Sequence, residues 1–413
     1  MTNIAIVVLD TLRKDTFDDY FEWLPGKKFE NAWSTSHYTV PAHASLFTGF
    51  YPSEVGVHAK GEQFNTSQKV LAERLTEAGY TTRAINGNIL LSISGFDRGF
   101  DHFYNIDQAT VTNEDVFSWY DLGGDDLRNP IFKYMSYMWR FLTSDSSIVK
   151  SSKYIYNKKI NGFHGAKEAL EAIRTMKFGE QEFLFINLME AHSCHNDPDY
   201  IGETEEHTTC REIYNNSVEE LSIIYNKIFS ELKNEFDYII TLSDHGELFG
   251  EYGLCRHWHG VWPELVHVPI CISSEEIPSE YSDVTVNTLD VHQTVLNLAD
   301  IEGESRGQDL RDVSESNSPC LTEYHGIRDG QKEALRRQDV SEERIANFDK
   351  PLRGVALDDG YAYETPNGFI DDSSQNAQEV LNKVIDDIDF TKATGHSKPS
   401  KDIKKHLEDL GYA

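Results

Sequence analysis

Three polar residues that directly follow apolar runs are of types that bind divalent cations. Asp10 ends the run from Asn3 to Leu9, and the adjacent pair Asp244 and His245 follows the run 238–242. A carboxylate beside an imidazole suits Mg²⁺, Mn²⁺, Ca²⁺ or Zn²⁺. An isolated Asp-His pair is also common in a plain turn. The pair alone leaves both interpretations open, and its combination with Asp10 favours a metal site.

Thr39 opens the segment TVPAHASLFTG, which indicates a helix start that carries a hydroxyl group. Pro41 suits the first position of a helix, where a missing N–H costs nothing, and this places Thr39 near the N-cap. Free backbone N–H groups at such a helix start attract anions. Two roles fit the hydroxyl group: a capping group only, or a nucleophile toward a bound anionic ester.

These residues need a scaffold that brings distant segments together. Open α/β sheets bind ligands beyond the carboxyl ends of their strands. Three predicted strands, 3–9, 183–188 and 238–242, end in this way. They are followed by Asp10, by Glu190 and His192, and by the Asp244-His245 pair. We therefore expect the three strand ends to meet at one site.

Helical periodicity over residues 67–78 and 210–234 alternates with the predicted strands. This alternation predicts an α/β fold with a mixed, mainly parallel sheet between helices. After about residue 318 the pattern changes to short strands followed by an acidic tail. We predict a catalytic α/β domain over residues 1–315 and a small C-terminal α+β subdomain over 316–413. The aromatic segment 105–151 follows no clear period, and substrate contact and simple packing both remain open for it.

Several segments resemble the sulfatase branch of the alkaline phosphatase superfamily, and they are spread over nearly the whole chain. They are VVLDTLRKD (7–15), TVPAHASLFTGFYPSEVGVH (39–58), GFDRGFDHF (95–103), SDHGELFGEYG (243–253), HGVWPELVHVPI (259–270), TLDVHQTVLNLADI (288–301) and KKHLEDLGY (404–412). The resemblance implies a metal-dependent hydrolase of phosphate or sulfate esters. It implies one divalent ion bound by Asp10, Asp244 and His245, with Thr39 as nucleophile facing the same ion.

The resemblance also implies that His192 and His259 lie on the substrate side, as oxyanion donor or leaving-group acid, since imidazole suits proton transfer near neutral pH. His257, two residues from His259, is a rival for the second position. Asn88 and Arg13 are weaker candidates for substrate contact, and Glu190 is a further candidate ligand.

Two positions depart from the pattern of the family that the chain resembles. Sulfatases that form formylglycine carry Cys or Ser in a Cys-x-Pro-x-Arg type motif, where this chain has Thr39, Pro41 and His43. Oxidation of threonine would give a ketone, which excludes formylglycine. A threonine alkoxide can instead attack phosphorus and form a phosphothreonine intermediate. Thr11 stands where many sulfatases carry a second metal-binding aspartate, which favours a simpler site with one metal ion.

These departures favour a phosphoester, either a phosphodiester or a phosphonate ester, as substrate. The alternatives are a sulfuric ester hydrolase without formylglycine, a phosphotransferase acting on glycans or lipids, and a degenerate protein that binds anions without turnover. In each case the partner is an anionic small-molecule or glycan ester. The natural substrate and the oligomeric state stay open.

The composition is strongly acidic, with 69 Asp and Glu against 38 Lys and Arg and a formal net charge of −31. Such a surface repels nucleic acids and anionic membranes, which recruit proteins through basic residues. The acidic residues are spread along the chain, which favours a solvated surface suited to high salt and hence a halophilic organism.

The five cysteines, 194, 210, 255, 271 and 320, form no CxxC pair. We expect neither a disulfide framework nor a zinc knuckle. The start, MTNIAIVVLDTLRKD, lacks the basic n-region and cleavage site of a signal peptide. No apolar run approaches the length of a membrane helix. We expect a cytoplasmic protein.

Overall fold

The computed structural model describes residues 2–106, 165–192, 207–313, 319–337, 340–374 and 376–395. The strands are β1 (Ile4–Leu9), β2 (Lys27–Phe29), β3 (Ala32–Trp33), β4 (Thr81–Asn86), β5 (His102–Asn105), β6 (Glu182–Leu188), β7 (Tyr238–Leu242), β8 (Ile270–Ser273), β9 (Glu280–Ser282), β10 (Val286–Asn287), β11 (Cys320–His325), β12 (Pro351–Leu357), β13 (Gly360–Thr365) and β14 (Gly368–Asp371). The α-helices are Lys14–Tyr20, Thr39–Thr48, Pro52–Val55, Leu71–Glu77, Ile89–Ser94, Gly165–Thr175, His207–Leu232, Pro263–Val266, Thr288–Leu298, Asp329–Arg337, Glu342–Phe348 and Ala377–Asp386.

The central sheet has eight strands in the order β5-β4-β6-β1-β7-β8-β2-β9. Strand β1 lies between β6 and β7 and is parallel to both, while β8 is antiparallel to β7. The sheet is therefore mixed and mainly parallel, which confirms the predicted fold class. In this register Val8 of β1 is opposite Asn187 of β6 and Leu242 of β7. The carboxyl ends of the three central strands consequently lie at one level.

Strand β1 is fully buried because both faces of the sheet are covered. Ile4, Ile6 and Val8 belong to the hydrophobic core on one face. Ala5, Val7 and Leu9 belong to the core on the other face, together with residues of the helices 165–175 and 207–232. A continuous apolar run, rather than an alternating one, is the sequence that such a doubly covered strand requires.

The C-terminal part contains a second sheet, four antiparallel strands in the order β11-β12-β13-β14. It packs against the segment that leads into the helix Thr39–Thr48. The backbone N–H of Glu323 donates to the carbonyl of Thr35 (2.9 Å), and the hydroxyl of Thr322 donates to the carbonyl of Ser34 (2.6 Å). The predicted boundary at residue 315 stays a prediction, and the second sheet begins shortly after it.

Parts of the sequence-based prediction lie outside the described residues. They are all but the first two residues of the aromatic segment 105–151, Cys194, and the C-terminal motif 404–412. The other four cysteines are free thiols. In the described ranges, no helix combines the length and the apolar character needed to cross a bilayer.

Because His292 is buried and neutral, we expect the protein to lose stability in mild acid. Burial lowers the pKa of His292 to about 4, from an ordinary value of 6.5. Between these values the unfolded chain binds a proton that the folded protein does not. The neutral, buried His292 therefore contributes its full stabilisation above pH 6.5. As the pH falls, the free energy of unfolding decreases by up to about 3 kcal/mol for a pKa shift of this size.

We expect the free energy of unfolding, measured by urea titration, to fall between about pH 7 and pH 4.5. The variant His292→Asn, which retains a donor for the carbonyl of Leu46, should show a shallower pH dependence. An equal slope in the two proteins would contradict the assignment of this proton to His292.

Candidate metal and nucleophile site

Asp10, Asp244 and His245 converge at the carboxyl end of the central sheet. Asp10 follows β1, and the pair Asp244 and His245 follows β7, the neighbouring strand. All three side chains are buried, and each offers one ligand atom within 4.8 Å of the others. His245 Nε2 lies 3.5 Å from Asp244 Oδ2 and 3.9 Å from Asp10 Oδ1. The predicted ligands thus form one cluster.

The imidazole of His245 is oriented so that Nε2 faces this cluster. Its Nδ1 lies 2.9 Å from the carbonyl oxygen of Gly246, which can only accept. Nδ1 therefore carries the hydrogen, and Nε2 presents its lone pair toward the two carboxylates. This is the tautomer that a metal ligand needs, held by a backbone acceptor.

The two carboxylates are held close together in spite of their like charge. Burial, and then the neighbouring Asp10, raise the pKa of Asp244. Asp244 Oδ1 accepts from the backbone N–H groups of Thr11 (3.1 Å) and His245 (3.0 Å). Its other oxygen, Oδ2, is buried and has no hydrogen-bond partner among the described residues. A buried carboxylate oxygen directed at a second carboxylate and an imidazole lone pair fits a divalent cation.

Asp10 is positioned by amides from two neighbouring strands. Its Oδ2 accepts from Asn88 Nδ2 at 2.9 Å and from Asn187 Nδ2 at 3.1 Å. Asn88 follows β4 and also caps the helix Ile89–Ser94, since its side chain accepts from the N–H of Leu90. Asn187 lies within β6. Asn88 was predicted only as a weak candidate for substrate contact, and Asn187 was not predicted to belong to the site.

Thr11 contributes its backbone and hydroxyl group to the two carboxylates. Its hydroxyl donates to Asp10 Oδ1 at 3.0 Å. Its φ of 66° lies in the left-handed region, which is costly for a β-branched residue. The hydroxyl of Tyr214 donates to the carbonyl of Thr11 at 2.9 Å and stabilises this conformation. The strained backbone directs the N–H of Thr11 at Asp244.

Thr39 is the first residue of the helix Thr39–Thr48, here called the nucleophile helix, and it is fully buried. Its Oγ1 lies 3.3 Å from His245 Nε2 and 3.5 Å from Asn88 Nδ2. The predicted position of Pro41 was wrong: Pro41 is the third helical residue, and the helix begins two residues earlier because Tyr38 is extended. The proline still costs no helical hydrogen bond there, since the first four N–H groups of a helix have no partner within it.

Among the candidate histidines, His257 has its ring beside His245, one of the three candidate metal ligands. Its centroid is 4.5 Å from that of His245 and 5.3 Å from that of His192. His257 Nδ1 lies 3.2 Å from Glu247 Oε2, a fully buried carboxylate. His192 contacts the ring of His257, which in turn contacts that of His245, so His192 and His257 lie near each other at the site. Its predicted catalytic role stays a prediction.

His259 occupies a different environment from His257. Its ring lies 5.2 Å from Phe348, a residue of the C-terminal part. Burial lowers its pKa to about 4. The structure does not bring it into contact with Asp10, Asp244, His245 or Thr39. The substrate-side role predicted for His259 stays a prediction, and the geometry favours His257 for that place.

His37 lies at the site and was not predicted from the sequence. It is buried two residues before Thr39, and its Nδ1 lies 2.8 Å from the carbonyl oxygen of His257. Burial lowers its pKa well below the ordinary value of histidine. A neutral imidazole thus holds the backbone of the loop that carries His257. The position of His37 two residues before Thr39 does not by itself predict this contact with His257.

The remaining candidates, Glu190 and Arg13, have structural partners. Glu190 accepts from the backbone N–H of Ala166, and burial raises its pKa to about 7. Arg13 forms ion pairs with Asp15 and Glu251, both at 2.7 Å. Neither belongs to the cluster of metal-ligand atoms found among the described residues.

Comparison with known proteins decides the family. The sequence profile of the sulfatases matches residues 21–301. The chain belongs to the sulfatase family. This confirms the predicted resemblance, and it makes the protein a sulfatase-family ester hydrolase. No curated protein matches the sequence significantly.

Solved structures support the same fold at low identity. The phosphonate monoester hydrolase of Silicibacter pomeroyi has a TM-score of 0.61 at 14% identity, over 99% of this chain and 95% of that chain. The phosphonate monoester hydrolase of Agrobacterium radiobacter has a TM-score of 0.59 at 14% identity, over 94% and 92%. A 2-O GAG sulfatase has a TM-score of 0.59 at 13% identity, over 93% and 90%. The sulfatase-family member described here therefore has the sulfatase-like α/β fold over nearly its whole length.

Proposed function

We propose that this sulfatase-family protein hydrolyses phosphoesters, either phosphodiesters or phosphonate esters, with Thr39 as nucleophile. The observation that carries the proposal is the position of Thr39 Oγ1, 3.3 Å from His245 Nε2 at the start of a buried helix. The hydroxyl group of a residue that caps its own helix would face the helix backbone. This one instead faces the lone pair of a histidine in the metal-ligand cluster.

Asp10, Asp244 and His245 are the residues that would hold one divalent ion, and Thr39 would face it. When bound, such an ion supplies Lewis acid chemistry, lowering the pKa of the threonine hydroxyl and neutralising charge on a nonbridging oxygen of the ester. Magnesium, manganese, calcium and zinc all suit two carboxylates and an imidazole, although zinc accepts the imidazole most readily.

The reaction follows from the groups around Thr39. The hydroxyl of Thr39 releases its proton to solvent while its oxygen attacks phosphorus. A new P–O bond forms, and the bond to the leaving alcohol breaks. Asn88 Nδ2 lies 3.5 Å from Thr39 Oγ1, where it can donate to an oxygen that gains charge in the transition state. Water then attacks the phosphothreonine, releases the product and restores the hydroxyl group.

His257 is the group best placed to give a proton to the leaving alcohol. Its ring neighbours those of His192 and His245, and Glu247 accepts from its Nδ1. A buried carboxylate that binds one ring nitrogen orients the imidazole and stabilises its protonated form. We include His192 in the same role as an alternative donor, since it lies beside His257.

The substrate class is inferred from the nucleophile. Threonine cannot become formylglycine, and an unmodified hydroxyl group suits attack on phosphorus. The similarity to two phosphonate monoester hydrolases supports this class. The similarity to a 2-O GAG sulfatase supports the competing proposal, a sulfate ester hydrolase that acts on glycans. In both cases the partner is an anionic ester.

Turnover of matched aryl esters tests the proposal. We expect an aryl phosphodiester and an aryl phosphonate to be hydrolysed in the presence of Mg²⁺, Mn²⁺, Ca²⁺ or Zn²⁺, and the sulfate ester of the same phenol to react at least about 100-fold more slowly. The assay is run at low and high salt, because the proposed halophilic origin predicts higher activity in high salt.

A faster reaction of the sulfate ester would overturn the phosphoester assignment and favour the sulfatase alternative. Binding of these esters without turnover of any of them would favour a degenerate binding protein. Transfer of the phosphoryl group to an added alcohol in place of water would favour a phosphotransferase. The cytoplasmic location and the absence of nucleic-acid and membrane partners stay predictions.

A further inference from the structure

His43 lies at the centre of a hydrogen-bond chain that joins the nucleophile helix to the metal-ligand cluster. It is fully buried one helical turn beyond Thr39. Its Nδ1 lies 2.9 Å from the carbonyl oxygen of Thr39 and 3.5 Å from Asp244 Oδ2. Its Nε2 lies 3.4 Å from Asn187 Nδ2. One imidazole therefore contacts the nucleophile residue, one candidate ligand, and the amide that binds the other candidate ligand.

The direction of every hydrogen bond in this chain follows from Asp10. A carboxylate can only accept, so the atom of Asn187 that lies 3.1 Å from Asp10 Oδ2 is the amide nitrogen. The second hydrogen of that nitrogen is directed at His43 Nε2, which must accept it. His43 Nδ1 then carries the ring hydrogen and donates to the carbonyl oxygen of Thr39, which can only accept. Asn187 thus selects the tautomer of His43.

We propose that His43 and Asn187 form a positioning pair that holds Thr39, Asp10 and Asp244 in the arrangement that binds the metal ion. The inference rests on the proposed metal site and adds two residues that are not among its candidate ligands. Partners of this kind orient the ligands of a metal site, and their loss typically weakens metal binding by about 10- to 100-fold. The two residues come from different elements, the nucleophile helix and β6, so they join the helix to the sheet.

A buried histidine that only fills the core is the competing interpretation. The rings of Phe96 and Phe185 lie edge-on at 6.2 and 5.9 Å, so His43 also has apolar neighbours. A packing role predicts a loss of stability with unchanged metal affinity. His292 provides the matched comparison: it is fully buried, and its Nδ1 lies 3.0 Å from the carbonyl oxygen of Leu46 in the same nucleophile helix. It is not among the residues that contact the candidate ligands.

The test measures binding of Mn²⁺, and separately of Zn²⁺, to the metal-free full chain by equilibrium dialysis. The proteins are the wild type, His43→Asn, Asn187→Leu, the double variant, and His292→Asn as control. We expect each single variant of the pair to bind the metal about 10- to 100-fold more weakly. The double variant should be little weaker than the weaker single variant, because both changes break one chain. His292→Asn should bind as the wild type does, although it unfolds more easily.

Circular dichroism establishes that each variant is folded. If His43→Asn does not fold, it is replaced by His43→Gln, whose amide reaches toward the Nε2 position. Unchanged metal affinity in the variants of the pair would overturn the inference and leave the proposed function intact. Independent, multiplicative losses would also overturn it, since the two residues would then act separately. If the wild type binds neither metal, the proposed metal site itself fails.

Discussion

Thr39→Ala is expected to lower kcat by roughly 10³- to 10⁶-fold, with the fold and metal binding retained. In the proposed reaction the hydroxyl group is the only part of the Thr39 side chain that takes part, and the exchange leaves the start of the nucleophile helix able to form. Burst and steady-state kinetics with an aryl phosphodiester measure the effect. Metal binding to the variant, measured by dialysis, checks that the site is otherwise intact.

Thr39→Ser is the matched control, because it keeps an oxygen at the position 3.3 Å from His245 Nε2. We expect it to retain a large part of the activity, with an intact mass showing that the serine is unmodified. A phosphorylated Thr39 trapped by acid quench would support the covalent intermediate. Turnover by Thr39→Ala at a rate near that of the wild type would exclude the covalent scheme.

The second large effect is expected for Asp244→Asn. We expect this exchange to weaken metal binding by at least about 100-fold and to lower the activity with it. The amide retains an oxygen for the N–H groups of Thr11 and His245 but places an NH₂ group where Asp244 Oδ2 now faces Asp10 and the His245 lone pair. A donor at that point cannot bind a cation.

The same exchange should make the metal-free protein more stable at neutral pH. Burial and Asp10 raise the pKa of Asp244, so its ionised form costs stability above the ordinary pKa of 3.8. We expect a higher thermal midpoint for metal-free Asp244→Asn than for the metal-free wild type at about pH 7, and the reverse order with metal added. A lower midpoint of the variant in both states would show that the carboxylate has a structural role instead.

The location of the metal-ligand cluster was predictable from local sequence. Apolar runs that end in Asp10 and in the pair Asp244 and His245 indicate buried parallel strands, and the carboxyl ends of such strands meet at one edge of the sheet. Thr39 was proposed as nucleophile from its place at a predicted helix start together with the family resemblance. The bounds of the three central strands differ from the predicted ones by one residue at most, since β1 begins at Ile4 and β6 at Glu182.

The roles of the histidines were harder to predict from sequence. His257 and His259 are two residues apart in one loop, and the family resemblance favoured His259 with His257 as a rival. In the structure the ring of His257 lies beside His245, whereas that of His259 lies against Phe348. Loop conformation decides which side chain faces the site, and one contact of this loop is the hydrogen bond between the ring nitrogen of His37 and the carbonyl oxygen of His257.

The sequence by itself determined the fold class, the convergence of Asp10 with Asp244 and His245, and the presence of a hydroxyl group at a helix start, because periodicity and strand ends are local properties of the chain. Only the tertiary structure decided the orientation of these groups. The amide of Asn187 meets Asp10 and His43 across 177 and 144 residues of sequence. Contacts between side chains so far apart have no characteristic spacing, since they arise from the register of β6 on β1 and from the packing of the nucleophile helix on the sheet.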